Sequence, residues 1–305
     1  MRDFIGYANR PPQFRWPGDS GLAVNIVLNY EEGSEYSVAD GDGRSETALL
    51  EINQPRVPPG DRDLASESMY EYGSRVGFWR LHRLFTERNL PLTVFASAQA
   101  LERNAEVAAA IARTDWDIAC HGWRWVEHYR LDEATEREHI ARAFDSIVAT
   151  VGRPPAGWYS RYSRSAATRR LVVEHGGYDY DSDAYNDEVP YWVRVDGRPH
   201  LVVPYSLVTN DAKFVQGGWV TGRSYAEFLI ETFDMLLKES RSQPRMMSVG
   251  LHPRVIGHPG RASGLERFLD HVAGCEGVWM ARRQDIARHC KAEMPFDALA
   301  AKEST

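Results

Sequence analysis

The segment Asn29-Tyr30-Glu31-Glu32-Gly33 places two adjacent acids directly after the apolar run Leu22-Ala23-Val24-Asn25-Ile26-Val27-Leu28. A run of that length and branching reads as a buried strand, and an α/β sheet handles its ligands at the carboxyl ends of strands. A carboxylate pair at such an exit has the chemistry of a general base or of a metal ligand. The same residues also suit a solvated turn, since glutamate is common in loops and Gly33 supplies the turn. The rest of the chain decides between these readings.

The elements that must position the pair follow from periodicity. Short stretches rich in branched and aromatic residues at 22–28, 92–96, 116–120, 156–160, 201–205, 246–251 and 277–281 read as strands separated by helical patterns. Within 132–151, Ile140, Phe144, Ile147, Val148 and Val151 share one helix face, and Ser224-Tyr225-Ala226-Glu227 reads as a capping box opening a second amphipathic helix. With no linker and no internal repeat, this alternation predicts an α/β fold. The expectation is a single distorted (β/α) barrel domain of about seven strands over 1–305, with an open doubly wound sheet as the alternative. Segment 33–72 is too long for an ordinary connection. It predicts an excursion over the barrel mouth that also meets a neighbouring subunit, making the protein a homo-oligomer. Asp40-Gly41-Asp42-Gly43, with Glu51 at the twelfth position, is only a faint match to a calcium loop.

Composition excludes several functions. The 305 residues are 43% hydrophobic and carry a formal charge of −7 without a basic block, which predicts neither nucleic acid nor a membrane as partner and favours a small-molecule substrate. Cys120, Cys275 and Cys290 show no C-x-x-C spacing, and residues 1–20 hold no apolar stretch of signal length. Reduced thiols and a cytoplasmic location are expected.

Read in order, the motifs resemble the polysaccharide deacetylase (NodB-homology) superfamily, specifically its cofactor-independent, allantoinase-like and cyclic imidase-like branch. The pieces are Arg2-Asp3-Phe4-Ile5-Gly6-Tyr7, LNYEEGSE at 28–35, ACHGWRW at 119–125, GWYSRY at 157–162, YDSDAYNDEVPYW at 180–192 and LHPRVIGHPGR at 251–261. The resemblance places Glu31 on the general-base position and Glu32 on that of a metal-binding acid. It places His121 on the first of two metal-binding histidines and Trp125 where the second would stand. An indole cannot bind a metal, so Glu32 and His121 alone are left to hold a divalent ion such as zinc, and the resemblance implies no cofactor. It makes His252 the general acid toward the leaving group and Arg161, in preference to Arg153, the arginine that serves the base. His128 reads as a surface residue.

Around these, Trp123, Trp125 and Tyr159 are expected to wall a pocket for a flat ring, with Glu32, Asp183, Asn210 and Asp211 binding substrate. The implied activity is hydrolysis of a non-peptide C–N bond, opening a cyclic amide such as an allantoin-like ureide, a hydantoin or an imide. The competing readings are a metal-dependent N-deacetylase of amino sugars or cell-wall polysaccharide, and a ligand-binding relic without catalysis.

Overall fold

The computed structural model describes residues 2–52, 54 and 56–296. At its centre is β1 (Leu22–Tyr30), buried along its whole length. Leu22, Val24, Ile26, Leu28 and Tyr30 face one core, shared with Phe78, Leu81, Leu229, Phe233 and Phe268 of the surrounding helices. Ala23 and Val27 alternate onto a second, internal core with Phe95, Ala119, Tyr180, Leu201 and Tyr205. An apolar run without polar alternation is what a strand covered on both faces requires.

Parallel partners of β1 are β2 (Thr93–Ala96) and β8 (Arg245–Leu251), and β9 (Val278–Met280) pairs with its beginning. The other strands are β3 (Asp117–Cys120), β4 (Gly157–Trp158), β5 (Tyr180–Asp181), β6 (Tyr191–Val195) and β7 (Arg198–Val202). Their order is β6-β7-β5-β4-β3-β2-β1-β8, parallel except for the β6–β7 hairpin. Asp196 and Gly197, both at positive φ, form the tight turn of that hairpin. The sheet curls into a half-barrel. Beyond β7, a parallel bridge between Asn210 and Gly250 links the two ends.

Each predicted strand overlaps an observed one, though 156–160 shrinks to two residues and 201–205 gives way to Arg198–Val202. The sequence reading missed β5 and β6: the first is two residues ending in an acid, and the second is half-exposed with Arg194 in it. The helix expected over 132–151 runs Glu133–Val151 with Asp132 as its cap. The second helix spans Gly222–Glu239 and starts earlier than expected. Its capping box pairs Thr221 with Ser224, so Glu227 lies a turn inside the helix. Segment 33–72 ends in the helix Leu64–Tyr72, capped by Asp63. It packs on its own chain: Ser34 O accepts from Trp125 N, Asp40 pairs with Arg103, and Asp42 with Arg124. Those pairings, and that of Glu51 with Arg261, engage the acids of the faint calcium motif with arginines. All three cysteines are free. No helix among the described residues is long and apolar enough to cross a membrane.

Arg283, fully buried at the start of the helix Arg283–Glu293, pins the barrel interior. Its guanidinium donates to Asn25 Oδ1 at 2.8 Å, Ser248 Oγ at 3.0 Å, Ser182 Oγ at 2.9 Å and Pro204 O at 2.8 Å. One side chain therefore ties β1 and β8 to the chain leaving β5 and β7. Arg283→Ala is expected to lower the unfolding free energy by about 3 kcal/mol or more, because several buried acceptors lose their donor together. Urea denaturation checks this as a lower midpoint.

Candidate active site

The carboxyl ends of the parallel strands converge on Glu31, the first residue after β1. His121 follows β3, Tyr159 follows β4 and His252 follows β8. Glu31 Oε1 lies 3.1 Å from His121 Nε2 and 3.6 Å from His252 Nε2. Its other oxygen accepts from Arg254 Nη2 at 2.6 Å. All four side chains are buried. Glu32 turns beneath this centre, where its Oε1 meets Arg254 Nη1 at 3.2 Å and its Oε2 accepts from Glu31 N at 3.1 Å.

Close packing of backbone makes that arrangement possible. The helix Leu64–Tyr72 continues through a wide π turn, Gly73–Gly77, into the helix Phe78–Glu87. A Cβ on Gly73 would overlap the Glu32 carboxylate, and one on Gly77 would overlap Pro253 O. Only glycine lets this turn lie against both the acid pair and the loop carrying Arg254.

Each imidazole is oriented by a second partner. His121 Nδ1 is 2.8 Å from Tyr159 O, which can only accept, so the Nδ1 proton is fixed there. Nε2 then faces two claims: Trp125 Nε1–H, 3.2 Å away, needs a lone pair, whereas ionised Glu31 needs a proton. His252 is held by Asp211, whose Oδ1 lies 2.6 Å from Nδ1 and whose Oδ2 accepts from His252 N at 2.7 Å and Ile256 N at 3.2 Å.

These contacts set the charges. Burial pushes the Glu31 carboxyl up, but Arg254, then His252 and His121, outweigh it and hold Glu31 well below the usual carboxylate range. Burial leaves Glu32 raised despite Arg254. Burial opposes protonation of His252 too, yet the charges of Asp211 and Glu31 raise it above its ordinary value. The centre thus pairs a carboxylate whose charged form is favoured with an imidazole whose protonated form is favoured.

Several expected residues stand elsewhere. Arg161 does not touch Glu31; it pairs with Glu46 of the 33–72 segment at 2.6 Å, donates to Trp125 O and lies 3.7 Å over the Trp125 ring. Arg153 is structural, bonded to three backbone carbonyls between 111 and 116. Trp123 faces away from the acids, between Arg142 and His139. Asn210 caps a short turn through Ala212 N and donates to Tyr205 OH, so it is not offered to substrate. Nor is Asp211, fully buried with both oxygens engaged. Glu32 is likewise occupied beneath Glu31. Trp125 and Tyr159 do wall the centre, the latter stacked on His121 at 4.9 Å. Asp183 lies to one side, accepting from Ser160 N and Oγ. His128 is not a surface residue; it is buried against Glu136. Arg254 was missed. Its only signal is its place two residues after His252, in a motif read for its histidine.

Comparison with known proteins bears on this centre. A Schizosaccharomyces pombe protein assigned to the polysaccharide deacetylases is 36% identical over 97% of this chain and 99% of its own length. The chain belongs to the polysaccharide deacetylase family. The sequence profile of that family, polysaccharide deacetylase, matches residues 65–180. Two solved structures align with a TM-score of 0.93 over 97% of the chain: a probable polysaccharide deacetylase from Pseudomonas aeruginosa PAO1, 47% identical and 99% covered, and PuuE allantoinase, 44% identical and 98% covered. The fold is the NodB-type barrel, and the family is one of hydrolases.

The metal that such a family implies does not fit this donor set. Glu32 is held by Arg254 and backbone N–H groups, and Trp125 offers His121 a donor instead of a second ligand. Among the described residues no three His, Cys, Asp or Glu side chains are arranged as a group that could hold a metal ion. The guanidinium of Arg254 supplies the positive charge beside both acids.

The shifts fix how stability depends on pH. The raised His252 value contributes stability that is full below its ordinary 6.5 and is lost as pH rises through the folded value. The lowered Glu31 value contributes stability present above its ordinary 4.5 and lost as pH falls through the folded value. In an NMR titration His252 is expected to deprotonate above 6.5 in the parent. Asp211→Asn should move that midpoint down and lessen the alkaline loss of stability, Glu31 still favouring the protonated ring. An unmoved midpoint would show that Asp211 does not hold the His252 proton.

Proposed function

We propose that the protein opens a small cyclic amide, a ureide, hydantoin or imide, by Glu31–His252 acid–base catalysis without a metal. The observation that carries this reading is the shared carboxylate: one oxygen of Glu31 faces both imidazoles while the other is gripped by Arg254. Similarity to PuuE allantoinase supports the ring-opening class. Glu31, His121 and His252 are each no more than 4% exposed, and Leu50 and Tyr70 of the 33–72 segment pack with Trp125, whose indole donates to His121, which favours a compact ring over a polymer.

In this mechanism Glu31 takes a proton from water as the hydroxide attacks the ring carbonyl. Negative charge leaves Glu31 and appears on the carbonyl oxygen. The Arg254 guanidinium, losing one carboxylate partner, stabilises that oxyanion, a role in which one preorganised donor is worth about 3 kcal/mol. His252 then delivers its proton to the departing nitrogen and Asp211 stabilises the ring in both states. His121 receives or returns a proton at Glu31 Oε1, with Trp125 N–H satisfying Nε2 whenever it is bare. Arg161 anchors the covering segment through Glu46.

The test is a substrate screen of allantoin, hydantoins, succinimide-type imides and acetylated amino sugars, with and without a chelator. Ring opening that survives chelation is expected, with Glu31→Gln reduced by about 100-fold or more on every ring. His252→Ala should retain more activity on imides, whose leaving nitrogen is already acidic, than on ureides. Acetate release from an amino sugar, abolished by chelator and restored by one equivalent of zinc, would instead establish the metal-dependent deacetylase.

A further inference from the structure

Glu31, His121, His252 and Arg254 are buried, and the cavities of about 1390 Å³ and about 400 Å³ are lined by none of them. A ring reaches Glu31 only if part of the cover moves. The cover has two layers. Next to the centre stand Trp125, whose indole donates to His121, and Tyr70, whose ring faces the Arg254 guanidinium at 4.6 Å. The second layer is the stretch Glu46–Glu51, which brings Leu50, 3% exposed, into one cluster with Trp125 and Tyr70.

The inner layer is fixed. Tyr70 belongs to the helix that runs into the π turn against Glu32, and Trp125 N donates to Ser34 O at 2.9 Å. The outer layer is not. Among the described residues no main-chain hydrogen bond joins Thr47–Glu51 to a strand or helix, and the Leu50 cluster stands apart from both barrel cores. Leu49 is held in the left-handed region, at φ 55°, a strained backbone for a branched side chain that a change of conformation relieves. The chain leaves and returns at one pinned base, where Gly43 O accepts from Gly60 N at 3.0 Å and Ser45 Oγ from Asp63 N at 2.9 Å.

Three polar contacts hold the outer layer down. Glu46 pairs with Arg161 at 2.6 Å, Glu51 pairs with Arg261 at 2.6 Å, and Tyr70 OH donates to Ala48 O at 3.0 Å. None of them binds it permanently. Once Glu46 leaves, Arg161 keeps Trp125 O at 2.7 Å and the faces of Trp125 and Tyr162 at 3.7 and 4.8 Å, so its charge is not stranded. Glu46 carries its own partners with it, since Oε1 accepts from Thr47 N and Ala48 N. The Glu51 pair is half-exposed and weak.

We propose that Glu46–Glu51 is a lid that lifts to admit the ring and closes for chemistry, with the Glu46–Arg161 pair as its latch. The assignment rests on the reading that the ring is opened at Glu31. Closure returns Leu50 to Trp125 and excludes bulk water, so the charges of Arg254, Glu31 and the forming oxyanion act on one another in a low dielectric.

A thiol placed under the lid reports its opening. In Leu50→Cys, made with Cys275→Ser, the new thiol should react with a maleimide at least 100-fold faster than Cys120 and Cys290, which are fully buried in the barrel. Adding Glu46→Gln should speed that reaction at least threefold. In the Glu31→Gln background, a saturating ring that the parent opens should slow it at least fivefold. Amide hydrogen exchange of Thr47–Leu50 in the otherwise unmodified chain gives a second measure if the cysteine variant does not fold: Glu46→Gln should raise it at least threefold while β2 is unmoved. A thiol at position 50 as slow as Cys120, or exchange unaltered by Glu46→Gln, would overturn the lid and leave the ring-opening reading standing. Failure of the parent to open allantoin, hydantoin or succinimide would overturn that reading, and with it the substrate the lid admits.

Discussion

Burying two adjacent carboxylates is the constraint on which this site depends. Glu31 and Glu32 are 1% and 3% exposed, and side by side in a low dielectric they cannot both stay ionised without a cation between them. Arg254 is that cation, reaching Glu31 at 2.6 Å and Glu32 at 3.2 Å. Its approach explains the local architecture. The loop after β8 must come close to the end of β1, the π turn must lie against both, and Gly73 and Gly77 are the residues that leave room.

The same contact shapes the proposed chemistry. A carboxylate held down by a guanidinium is always ionised but is a weak base, which alone would slow proton abstraction. The loss is offset when charge moves: as Glu31 accepts a proton, the guanidinium that depressed it turns to the oxyanion forming beside it. Asp211 works in the opposite sense on His252, raising its affinity for a proton that the leaving nitrogen needs. Base and acid are thus driven apart by fixed charges on opposite sides of one carboxylate.

Glu31 was legible in the sequence because it follows an apolar strand, and His121 and His252 because the motifs that carry them resemble the family's; all three sit at strand ends, where topology delivers side chains to one end of the barrel. Arg254 was not, because it projects from a short turn after the strand and its role depends on backbone packing that no local pattern encodes. Arg161 illustrates the converse. It also follows a strand, yet Glu46, more than a hundred residues earlier, draws it to the covering segment. Asn210 and Asp211 look like exposed polar residues in sequence and are buried anchors, one bonded to Tyr205 and one to His252. β5 escaped notice because two residues ending in Asp181 carry too little periodicity to register.

Two features of this chain bear on how the acids are held. One is a donor at His121 where a metal would need another ligand, and the other is a cation on the lone pairs of both acids. Trp125 presents His121 with a donor where a metal would require another acceptor, and its ring lies 5.1 Å from the Arg254 guanidinium, with Tyr70 at 4.6 Å. Those aromatic faces hold a planar cation more naturally than a hydrated ion, since they offer π density and no lone pair to coordinate. Trp125 therefore links the two features: one edge of its indole occupies His121, and its ring helps hold the guanidinium charge beside both acids.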